Sequence, residues 1–120
     1  MGYESRIYVV EKSTFASYSD GKVFADVIAM VDMCKYPELK DQVFTKKTDC
    51  YIYANDGNTH ITKDWYDNEL TEAPISDVIK FLEDEVLRGE TYRRINPLLG
   101  LLKSFDMEQW DNLVCLHYGY

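Results

Sequence analysis

The chain of 120 residues carries only two histidines, three cysteines, three prolines and six glycines, and their placement excludes several chemistries. There is no Cys-x-x-Cys or His-x-x-x-His pair. Cys115 and His117 share one side of a strand-like run, but Cys50 and His60 point to opposite faces in the register derived below. A structural zinc site wants about four convergent ligands, so no metal is expected. No Gly-x-Ser-x-Gly elbow and no glycine-rich phosphate loop is present, and Cys115 with His117 is too close on one flat strand to act as a catalytic dyad. Asp26 and Asp32 share a face but lie roughly 20 Å apart along a strand, too far to flank one bond. Asp56-x-Asn58 begins like a calcium loop, but Thr59-His60-Ile61 departs from that pattern. No catalytic residue and no cofactor follow from these patterns.

No apolar run approaches the roughly 20 residues that span a bilayer. The opening Met1-Gly2-Tyr3-Glu4-Ser5-Arg6 lacks the apolar stretch of a signal peptide, and Arg6 stands where a myristoylation motif has Ser or Thr. Cys34, Cys50 and Cys115 are odd in number, without framework spacing, and each lies in an apolar or strand-like run. They read as buried thiols in a reducing cytoplasm, with no membrane partner. Apolar residues at 46% against 28% charged argue for a folded chain, and this length suits one domain, residues 1–120.

Negative charge is what the chain has in excess, and it is concentrated. Residues 61–90 hold nine acids (Asp64, Asp67, Glu69, Glu72, Asp77, Glu83, Asp84, Glu85 and Glu90) against Lys63, Lys80 and Arg88, which is −6 of the net −8. Such a field repels nucleic acid and attracts basic partners. Single-strand binders line their aromatic platforms with positive charge, whereas the bases here come as isolated doublets (Lys46-Lys47, Arg93-Arg94). Direct nucleic-acid binding is not expected.

Residues 4–12 read as a first strand, β-branched and aromatic. From Val23 to Tyr36 the alternation favours a long, bent strand: Val23, Ala25, Val27, Ala29, Val31 and Met33 on one face; Phe24, Asp26, Ile28, Met30, Asp32 and Cys34 on the other. Pro37 ends it, and a polar connection with at most one helical turn follows. Residues 50–54 and 59–62 flank Asn55-Asp56-Gly57-Asn58, a type I′ hairpin signal. In that register Cys50, Ile52, Ala54 and Ile61 share one side, and Tyr51, Tyr53, His60 and Thr62 the other. Residues 63–73 read as an acidic, aromatic loop. A helix follows Pro74 and exits at Gly89, with a stripe of Ile75, Val78, Ile79, Leu82 and Val86. A second helix covers about 91–105, regular from 97 if Asn96-Pro97 is its start. Residues 112–118 read as a last strand buried on both faces. The expected fold is α+β: a mostly antiparallel five-stranded sheet with two helices on one face, in the order ββββααβ.

The candidate site is a partner-binding surface. Tyr51, Tyr53 and His60 form one hairpin face, Trp65 and Tyr66 follow it, and Asp64, Asp67 and Glu69 supply an acidic rim; Asp77, Asp84 and Glu85 extend the charge along the first helix. Tyr and Trp are the residues that anchor interfaces, and the chain has ten tyrosines. The plainer alternatives are rings covered as core and a solvated acidic helix that serves solubility.

The opening Met1-Gly2-Tyr3-Glu4-Ser5-Arg6-Ile7-Tyr8-Val9-Val10, the turn Asn55-Asp56-Gly57-Asn58-Thr59 and the ending Leu113-Val-Cys-Leu-His-Tyr-Gly-Tyr120 resemble small uncharacterised proteins of bacteriophages and prophages. None of these stretches is a functional motif, so the resemblance implies context and no site residue. Compact acidic phage proteins of this size are often non-enzymatic binders of host proteins, including inhibitors that imitate nucleic-acid charge. The expectation is a binder of a basic, nucleic-acid-handling host protein. The alternatives are a self-associating assembly protein, a homodimer included, or a small enzyme with an unrecognised carboxylate or His/Cys site.

Overall fold

Strand β1 (Ser5–Lys12) feeds two cores, and the rest of the fold is arranged around it. Ile7 and Val9 are buried toward one face and Val10 toward the other, the period-2 alternation of a strand covered on both sides. This is a computed structural model that describes residues 5–13, 18–19, 21–54, 56–110 and 112–119. The remaining strands are β2 (Tyr18–Ser19), β3 (Lys22–Asp32), β4 (Lys46–Lys47), β5 (Cys50–Tyr53), β6 (His60–Ile61), β7 (Thr71–Ala73) and β8 (Leu113–Gly119). The helices are α1 (Pro37–Gln42), α2 (Ile75–Leu87) and α3 (Ile95–Lys103). The sheet runs β4-β7-β8-β1-β3-β5-β6, with β2 paired to β3.

The α+β class stands, but the sheet is mixed and richer than five antiparallel strands, and there are three helices among the described residues. β3 and β5 pair in parallel, through Val23↔Cys50 and Phe24↔Tyr51. A parallel pair needs a crossover, and residues 33–49, with α1 in them, supply it. Pro37 therefore does not end the strand, which stops at Asp32, but starts α1. β4 and β7 lie where loop was expected. They are too short, and too charged at Lys46, Lys47 and Glu72, to show an alternation that could be read.

β3 also departs from a clean alternation. Val9 pairs with Ala29 and Val10 with Val27, so Ile28 is an extra residue, a β-bulge. Ala25 consequently faces the second core, while Ile28, Ala29, Val31 and Met33 face the first. The expected six-residue face from Val23 to Met33 is thus divided between two cores.

The first core lies under the helices, where Val78 and Leu82 of α2 and Ile95, Leu98 and Leu102 of α3 meet Ile7, Val9, Leu113 and Cys115. Each of these large side chains contributes about 2 kcal/mol of burial. Val86, expected in the α2 stripe, is exposed. α2 stops at a Schellman motif: Gly89 (φ +93°) donates to the Val86 carbonyl at 3.0 Å and Glu90 to that of Glu85 at 2.9 Å. α3 begins at Ile95, ahead of Asn96, because Pro97 still falls within the first turn, where a missing N–H costs little.

The second core, Val10, Ala25, Cys50, Ile52, Leu70, Leu116 and Tyr118, fills the other face. The sheet curls around it until the amide of Thr48 donates to the carbonyl of Leu70 at 3.0 Å. β8 therefore has Cys115 in one core and Leu116 and Tyr118 in the other, buried on both faces as its composition suggests. Cys50 and Cys115 are buried, and burial pushes the Cys115 thiol up to about 12. Cys34 differs from the expectation. It is exposed, in a positive-φ turn at the end of β3, because the strand stops short of it.

Candidate functional site

The hairpin register is the one its alternation implies, with Ile52 opposite Ile61 and Tyr53 opposite His60. Its loop differs from a type I′ turn. Gly57 alone has positive φ among the described loop residues. The Asp56 carboxylate closes the loop instead, accepting hydrogen bonds from the Thr59 hydroxyl (2.6 Å) and from the amides of Asn58 and Thr59 (2.8 Å each). Those donors, the Thr59 hydroxyl first, hold its pKa down to about 2.

On one side of this ribbon the rings of Tyr51, Tyr53 and His60 pack together, with centroids 4.5 Å apart for Tyr51–His60 and 4.9 Å for Tyr53–His60. Phe24 of β3 completes the group, 5.7 Å from Tyr51 and 5.2 Å from Tyr53. Only 3% of Tyr51 is exposed, so it is the floor of the group and not a contact residue. Tyr53 and His60 are its exposed surface.

The acidic rim is built differently from the expectation. Asp64 is buried and organises its own loop, accepting hydrogen bonds from the amides of Tyr66 (2.8 Å) and Asn68 (3.0 Å). A short carboxylate that closes a turn on its own backbone is an architectural residue. It presents Trp65, 81% exposed, at the turn, with Tyr66 half-buried beside it. Asp67 pairs with Lys63 at 3.5 Å and Glu69 with Lys47 at 3.4 Å. On α2, Glu85 pairs with Arg88 at 3.4 Å and Glu83 with Lys103 at 2.7 Å. Asp77 and Asp84 line an open cleft of about 450 Å³ together with Lys80 and Arg88. Five of the nine acids in 61–90 (Asp67, Glu69, Glu72, Glu83 and Glu85) thus pair with bases, and Glu69 and Glu83 draw theirs from β4 and α3.

Two other acids lie beside the rings. Asp26 is two residues along β3 from Phe24 and so on the same side of the sheet, and Glu11 of β1 stands directly opposite Asp26. Lys12, the next residue on β1, turns to the other face. Its Nζ lies 3.0 Å from Asp49 Oδ1 and 3.2 Å from Glu72 Oε1. Glu72, 8% exposed, also accepts from the Thr48 hydroxyl at 2.8 Å. Burial opposes the charge on Lys12, but Asp49, Cys50 and Glu72 together raise its pKa above the ordinary lysine value. The hydrogen bond from Lys12 lowers that of Asp49.

Asp49, Cys50 and Glu72 bring three potential metal ligands within 4.8 Å of one another. The Lys12 ammonium already supplies the positive charge at this point, and burial raises the Cys50 thiol pKa, which disfavours the thiolate that a metal or an electrophile needs. The cluster acts as a structural clamp between β1, β5 and β7. Its members are 60 positions apart in the case of Lys12 and Glu72, and no local spacing announces it.

No family model matches the chain, and no curated protein or solved structure was found to be similar to it. Among the described residues no helix is long and apolar enough to cross a membrane.

Proposed function

We propose that this chain is a non-catalytic protein-binding domain whose partner is basic, and that it is a phage-encoded inhibitor of a host protein that handles nucleic acid. The observation that supports this reading is the surface made by Tyr53 and His60 over Phe24, with Glu11 and Asp26 on the same side of the sheet. Rings beside carboxylates suit a lysine or arginine side chain, which gains both ion pairing and cation–π attraction. The paired acids of 61–90 narrow the idea of charge mimicry to this smaller surface, with Trp65 as a further exposed anchor.

The test is an affinity pull-down from nuclease-treated host lysate with the wild-type chain, Tyr53→Ala/His60→Ala and Glu11→Gln/Asp26→Asn. A basic partner retained at low salt, released at high salt and lost in both variants is the expected result. Undiminished capture by both variants would sink this reading.

A further inference from the structure

β3 has an open edge. On one side it pairs with β1 along Ala25–Asp32, but on the other β5 pairs only with Val23 and Phe24 and then diverges. Among the described residues no strand covers that side from Asp26 onward, until the Arg94 guanidinium donates to the Asp32 carbonyl at 2.6 Å and the Tyr92 hydroxyl donates to that of Met33 at 2.5 Å. The open stretch, Asp26–Val31, is about 20 Å long.

The ladder shows which groups face outward. Below the bulge, the Val23 amide donates to Asp49 of the β5 side while the Phe24 carbonyl accepts from Ser13. Alternation then turns the peptide groups of Val27 to the open side. Above it, the Met33 amide donates to Ser5, which turns those of Met30 outward in the same way. Val27 and Met30 are also the exposed apolar side chains of this strand, at 37% and 47%. An unpaired ladder with apolar side chains is a template for one kind of occupant, an extended strand.

Charge decides whose strand. Glu11 and Asp26 face each other across β1 and β3 with no ion pair of their own among the described residues, and like charges directly opposite are unfavourable. Asp32 already holds Arg94 at 3.8 Å, so Asp26 with Glu11 is the unneutralised acidic pair along this edge, and a second copy would bring the same pair to it on a chain that itself carries −8. The acids that repel another copy admit a strand with lysine or arginine.

We infer that the Asp26–Val31 edge of β3 is a docking site for an extended basic segment of a partner protein, which adds a strand to the sheet and sets a basic side chain against Glu11 and Asp26. This rests on the reading that the partner is basic, and it adds where and in what conformation the partner binds.

The probe is a short peptide of alternating valine and threonine flanked by lysines, added to the full chain and followed by amide hydrogen exchange. Val27 and Met30 amides should slow by roughly tenfold or more on binding. Met30→Pro removes an N–H from the open side alone and should weaken binding by at least about tenfold. The same peptide N-methylated on alternate residues should not bind, which decides the matter even if Met30→Pro fails to fold. Unchanged exchange at Val27 and Met30, binding that survives N-methylation, or sedimentation showing the edge filled by a second copy would each overturn the proposal. If Glu11→Gln/Asp26→Asn abolishes binding while Met30→Pro does not, the edge is excluded and the basic-partner reading stands. Should the pull-down partner prove acidic, that reading fails and the docking site with it.

Discussion

Lys12 Nζ lies 3.2 Å from Glu72 Oε1, which ties the central strand to β7 past the intervening β8. The contact replaces water around a carboxylate that is otherwise buried, so its loss is felt by Glu72 more than by Lys12.

Lys12→Met should therefore destabilise the fold by on the order of 2 kcal/mol. The figure sits below that for a fully buried pair because Lys12 is partly exposed and Lys46 Nζ remains 3.9 Å from Glu72. Adding Glu72→Gln should restore part of the loss, since an amide needs no counter-charge. Urea unfolding of the single and double variants measures both, and equal stability of wild type and Lys12→Met would contradict the clamp.

Acid should loosen the same clamp. The Asp49 pKa is lowered in the folded chain by its hydrogen bond from Lys12, so its contribution is fully present above the unfolded value of about 4. It fades as pH falls through the lowered folded value. Lys12, raised, acts with the opposite sign: its contribution holds below the unfolded value of about 10.4 and fades as pH rises past the folded one. Wild-type stability measured against pH should fall at the acid end more steeply than that of Asp49→Asn, and superimposable acid limbs would count against the assignment.

Asp64→Ala removes an acceptor from two amides, Tyr66 and Asn68, and should cost about 1 kcal/mol. The expected signature is local: those two amides exchange faster while the amides of β8 keep their protection. Unaltered exchange at Tyr66 and Asn68 would show that the loop is held by other contacts.

The hairpin was legible because each partner of Tyr53 and His60 lies within a few residues of the other, and alternation plus a turn is enough to place them. Phe24 was not, since it reaches the same ring group through a parallel pairing with a strand 27 positions away, Tyr51. No local pattern carries that information. The pairing of the 61–90 acids is hidden for a related reason, because charge can be counted along a segment whereas two of its counter-ions, Lys47 and Lys103, come from elsewhere in the fold. Asp64 looked like surface because an acid beside Trp65 in a polar run suggests solvent, and a carboxylate turned back on its own amides leaves no mark in composition.

Ile28 gives β3 a change of phase. Before it, Ala25 keeps step with the hairpin and the second core; after it, Ala29, Val31 and Met33 keep step with the helices. A single inserted residue thus turns the odd-numbered residues of one strand from one hydrophobic interior to the other on the opposite side of the same sheet. The two interiors do not share a common parity along the chain, and β3 works as the gear that converts one into the other.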